Sequence, residues 1–133
     1  MPQDWDARDG ATAAGGVTTV VDQPNTTPPT VDGDAFDAKL LRAAESIVDF
    51  GISGGVTDRW DPGTLFDRNL LALGEVFLAD STGNMGIDED LFVRALEVAD
   101  AHDTLVTVHA EDADLFNGSA RERDDADAWS ACR

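Results

Sequence analysis

The chain has 133 residues, 27 acidic and 9 basic, which gives a formal net charge of −18 and a sequence pI near 4.1. So negative a chain does not hold a polyanion, which argues against nucleic acid and against an anionic membrane surface as partners. At 42% hydrophobic residues it still has enough apolar surface to bury a core, so one soluble globular unit is expected rather than an acidic disordered tail.

Residues 4–14 read as a helix that stops at Gly15 and Gly16, where a left-handed residue would cap it. Residues 17–21, β-branched throughout, read as a strand buried on both faces, closed by a segment at 23–29 too rich in proline to continue either element. A helix is expected over 34–49, with Phe36, Leu40, Leu41, Ala44, Ile47 and Val48 on one face. A short strand follows at 50–56, then a helix at 62–72 with Pro62 in its first turn, then a strand at 75–79 opened by Glu75. The loop 80–86 leads into a helix from about Asp88 to His102, whose first turn carries Glu89 and Asp90 at the positive end of the helix dipole. Leu91, Ala95 and Val98 would form its core face, flanked by Phe92, Leu96 and Ala99. Residues 105–108 form a fourth strand that delivers His109, Ala110, Glu111 and Asp112 at its end, and the remainder reads as helix with a frayed end.

Four strands alternating with helices argue for a parallel sheet, because parallel neighbours need a crossover. A closed (β/α)8 barrel takes about 250 residues, so this chain has room for about half of one; a small open α/β sheet has the same periodicity. Lys39 is the only lysine and Tyr is absent. An acidic, lysine-poor surface stays hydrated in concentrated salt, where a Debye length of about 3 Å at ~1 M screens self-repulsion, so a salt-adapted host is expected. Cys132 is the only cysteine, which leaves no intrachain disulfide or thiolate metal cluster. No stretch approaches the ~20 apolar residues of a membrane span and the N-terminus lacks the basic and apolar regions of a signal peptide, so a cytoplasmic location is expected.

Residues 22–25, 80–86 and 109–112 carry polar and glycine content that packing does not readily explain, and all lie at strand C-termini, where active sites of β/α folds sit. His109 is placed like a metal ligand at a barrel mouth, with neighbouring acids able to orient a ring nitrogen; a hydrogen-bonded histidine at a strand end is the plainer reading. His102, next to Asp103 at a helix terminus, reads as a capping or surface residue. Glu75 at the start of a buried strand lies either at an exposed edge or in a polar site. Asn25, among prolines, is explained by turn chemistry unless something further supports it.

Residues 14–26, 74–85 and 106–112 resemble, in order and at similar separations, three segments of dihydroorotases and related cyclic amidohydrolases. The resemblance implies a zinc-dependent (β/α)8 barrel that reversibly hydrolyses the cyclic amide of dihydroorotate to N-carbamoyl-aspartate in pyrimidine synthesis. Zinc would lower the pKa of a bound water and polarise the ring carbonyl, and an aspartate late in the fold would shuttle the proton. Residue by residue, His109 matches a metal-binding histidine and Asn25 the asparagine that hydrogen-bonds substrate. Glu75 falls where many members have a carboxylated lysine bridging two zinc ions. Its carboxylate needs no modification, but its stem is shorter. The family's His-x-His pair with its arginine, its later histidine and its catalytic aspartate have no counterpart in this chain. The expectation is therefore a partial barrel domain over 1–133, corresponding to about strands two to five, inactive alone, with the catalytic aspartate beyond the C-terminus. A hydantoinase or allantoinase and a non-catalytic scaffold subunit are the alternative readings. A small-molecule substrate is expected, and a homo-oligomer is compatible with the sequence.

Overall fold

The computed structural model describes residues 5–79 and 85–111. The helix expected beyond residue 112 lies outside the described residues, as do Cys132 and residues 80–84 of the loop. The elements are α1 (Trp5–Ala14), β1 (Thr19–Asp22), α2 (Gly33–Ala43), β2 (Asp49–Gly54), α3 (Pro62–Leu65), β3 (Ala72–Phe77), α4 (Glu89–Ala101) and β4 (Val106–His109). The strands form one four-stranded sheet in the order β1-β2-β3-β4, every pair parallel. This is the α/β alternation that the periodicity predicts, with each crossover carrying a helix.

Local chemistry sets the helix ends. After α1, Gly16 takes φ +83°, its N–H bonds to Ala13 O at 3.0 Å and the Val17 N–H to Thr12 O at 3.1 Å, so two otherwise orphaned carbonyls are satisfied by a left-handed cap. Asp32, Asp61 and Asp88 cap the N-termini of α2, α3 and α4, each carboxylate accepting the backbone N–H three residues on. Part of the acidic excess is thus spent on helix starts.

Three boundaries differ from the sequence expectation. Helix α2 stops at Ala43, and Ile47, placed on its apolar face by periodicity, is 70% exposed. The face that α2 buries is Phe36, Lys39 and Ala43, with Leu40 and Leu41 exposed. Helix α3 is a single turn, because Leu71 N–H bonds to Ile52 O and Ala72 pairs with Ser53; a helix continuing to residue 72 would forfeit both. In consequence β3 begins at Ala72, and Glu75 lies within the strand rather than at its start.

The strand expected to be buried on both faces, β1, is a sheet edge, as is β4. Val21 on β1 is 43% exposed and Val108 on β4 is 37% exposed, since each strand has one neighbour and partial helix cover. The core sits over β2 and β3: Ile52, Val56, Leu73 and Val76 pack with Phe36 of α2, Leu65 of α3 and Ala95 and Ala99 of α4. Full burial of side chains such as Leu65 and Leu73 stabilises by about 1.5–3 kcal/mol each. In α4 the buried positions are Ala95 and Ala99, with Leu91 and Phe92 packed against the core, all on the expected face or its flanks, while Val98 is half-buried and Leu96 exposed.

One irregularity positions the site. Leu73 pairs with Val106 but Val76 pairs with Val108, so three steps along β3 meet two along β4. Gly74, at φ +143°, and Glu75 share the place opposite Thr107 of β4, and a Cβ on Gly74 would run into Thr107.

Candidate active site

Of the three polar segments singled out by the sequence, the structure describes residues 22–25 at the end of β1 and 109–111 at the end of β4, while residues 80–84 and Asp112 lie outside the described residues. At the end of β1, the Asp22 carboxylate lies 2.7 Å from Lys39 Nζ, which also donates to the Gln23 carbonyl at 2.8 Å. Lys39 is only 5% exposed. Burial pulls its pKa below the ordinary lysine value, and the hydrogen bond and charge of Asp22 pull the other way. The polarity of this segment is therefore partly structural, an ion pair tying α2 to β1. The lone lysine contributes nothing to the solvent-facing surface.

Asn25 follows, exposed in the proline-rich turn. It lines a groove of about 580 Å³ between that turn, Asp34 and Ala38 of α2, Arg59 and Met85. Neither Glu75 nor His109 lines this groove.

Glu75 and His109, 34 positions apart, meet: Glu75 Oε1 is 2.7 Å from His109 Nδ1. Parallel pairing of Phe77 with His109 brings β3 and β4 into this register, and Phe77 also stacks on the imidazole at 5.3 Å between centroids. Glu111 Oε1 lies 3.2 Å from the other ring nitrogen, Nε2. The Glu75 hydrogen bond and then the Glu111 hydrogen bond raise the His109 pKa above the ordinary histidine value, against a smaller opposing effect of burial. Glu75 lies on a polar cluster rather than on a free edge. Its backbone N–H donates to Gln23 Oε1 at 3.2 Å. His102 ends α4 and stacks on Phe66, with centroids 4.5 Å apart, in keeping with a capping or surface role.

The pair does not amount to a zinc site by itself. Catalytic zinc takes about three protein ligands, and a ligating imidazole must present one ring nitrogen to the metal. Here both nitrogens of His109 face carboxylates, and among the described residues no group of three or more His, Cys, Asp or Glu side chains is arranged to hold a metal ion. Sequence reasoning assigned neither Lys39 nor Gln23 a role of its own, although Gln23 lies in the polar segment 22–25 that it singled out; Lys39 falls three residues after Phe36 on the apolar face of α2, a visible signal.

No protein-family model matches the chain. It is 64% identical over 130 residues to a dihydroorotase of Halobacterium salinarum, a match covering 97% of this chain and 31% of that protein. A dihydroorotase of Methanosarcina acetivorans is 46% identical over 84% of the chain and 24% of its own length, and an allantoinase of Rubrobacter xylanophilus is 34% identical over 84% and 26%. The L-hydantoinase (dihydropyrimidinase) structure from Arthrobacter aurescens superposes with a TM-score of 0.83 at 24% identity, covering 94% of this chain and 30% of that one. The fold is thus the parallel β/α arrangement found in part of that hydantoinase structure. In sequence the chain is similar to dihydroorotases, and it spans about a third or less of the length of the curated relatives it matches.

Proposed function

We propose that residues 1–133 form strands two to five of a dihydroorotase-like barrel and that the complete barrel hydrolyses a cyclic amide, dihydroorotate, reversibly to N-carbamoyl-aspartate. The observation that carries this reading is the contact of Glu75, within β3, with His109 at the end of the neighbouring β4, in a chain 64% identical to a dihydroorotase. In this proposal His109 and Glu75 are two ligands of a zinc centre whose remaining ligands come from other strands, and Asn25 contacts the substrate. The chain by itself then has little or no activity. The rest of the reading is a small-molecule substrate, a cytoplasmic setting in a salt-adapted host and no nucleic-acid partner. Consistent with this, no helix among the described residues is long and apolar enough to cross a membrane.

The test is a chimera in which this chain replaces the matching 130 residues of the Halobacterium dihydroorotase. In high salt with zinc it should hydrolyse dihydroorotate, and Glu75→Ala and His109→Ala should each lower bound zinc and activity together. A folded, zinc-loaded chimera without turnover would overturn the reading. Preference for allantoin or hydantoin over dihydroorotate would move the assignment to the allantoinase or hydantoinase branch, which the Rubrobacter relative keeps in view.

A further inference from the structure

We propose that Gln23 is a positioning residue that holds the Glu75 carboxylate against His109, with Lys39 anchoring Gln23 from α2. The β2–β3 ladder ends at the Gly54–Leu73 pair, and the irregularity beside β4 falls between Leu73 and Val76, so Glu75 lies where neither ladder is regular. A strand amide in such a place needs another acceptor. Gln23 Oε1 supplies it at 3.2 Å, reaching from the end of β1 past β2. Gln23 is itself fixed, because its carbonyl accepts from the buried Lys39 Nζ at 2.8 Å and the preceding residue, Asp22, forms the 2.7 Å ion pair with the same ammonium. The series Lys39, Gln23, Glu75, His109 thus joins α2, β1, β3 and β4 through consecutive polar contacts of 2.8, 3.2 and 2.7 Å.

The position needs such an anchor. Glu75 follows Gly74, a residue type with the widest backbone freedom, so a rotation of the backbone there would move the carboxylate relative to the imidazole. Fixing the Glu75 amide fixes the origin of that side chain.

The inference rests on the proposed role of Glu75 and His109, but its test uses the intact chain without metal or substrate, so failure of the catalytic reading leaves the outcome untouched. Amide hydrogen exchange and the ring-nitrogen NMR signals of His109 would be recorded in molar salt for the wild type, Gln23→Met and Gln23→Glu, with Glu75→Gln as reference. In Gln23→Met the Glu75 amide should exchange about tenfold faster, as for loss of one hydrogen bond, and the His109 signals should move toward those of Glu75→Gln. Gln23→Glu keeps an acceptor oxygen at the same reach and should restore both. A Gln23→Met chain whose His109 signals stay wild type overturns the proposal, and so does one whose Glu75 amide keeps its protection. Should Gln23→Met fail to fold, Gln23→Glu against the shorter Gln23→Asn decides, because identical His109 signals in those two overturn it as well.

Discussion

His109 lies between two carboxylates, and its protonation follows from that placement. Its folded pKa stands above the ordinary value of about 6.5, first through Glu75 and then through Glu111. A raised histidine pKa contributes stability that is complete below about 6.5 and disappears as pH climbs through the folded value. An NMR titration should therefore find His109 above 6.5, with Glu75→Gln bringing it down more than Glu111→Gln. Lys39 presents the opposite balance, since its charge is buried and held by one carboxylate. Lys39→Ala leaves Asp22 without its partner and should cost about 3 kcal/mol in chemical denaturation. Lys39→Met combined with Asp22→Asn should recover part of that loss. Of these residues His109 was legible, because a polar side chain at a strand end is a local signal. Its contact with Glu75 was not, because nothing local records a pairing across 34 positions.

At the scale of elements, the glycine stop of α1 and the span of α4 could be read, and the lengths of α2 and α3 could not. Gly16 acts within a few residues of itself, so its signal survives in the sequence. The end of α3 is settled by competition with the sheet, where backbone groups at 71 and 72 are taken by β2. The same competition moved Glu75 from the start of β3 to its interior. Gly74 is the most exacting position of that strand. Gly74→Ala forces a side chain into a positive φ and against Thr107, and should destabilise the chain by at least about 2 kcal/mol. Hydrogen exchange should show the loss concentrated in β3 and β4; uniform loss across the sheet would mean that the irregularity is not what joins them.

For the whole molecule, charge and edges dominate. With a net charge of −18, self-repulsion should weaken the fold in dilute buffer and fade as salt shortens the Debye length from about 10 Å at 0.1 M to about 3 Å at 1 M. The thermal midpoint should accordingly rise over that range, and a flat or falling response would contradict the salt-adapted reading. The alternation of strands and helices, the glycine stop of α1 and the site candidates at strand ends were all determined by the sequence, because each depends on residue type and near-neighbour spacing. The tertiary structure decided which strands became exposed edges, that the sole lysine is buried, and that Gln23 and Glu75 meet. Those outcomes depend on which backbone groups find partners across the sheet, and pairing of that kind is settled between segments far apart in the chain.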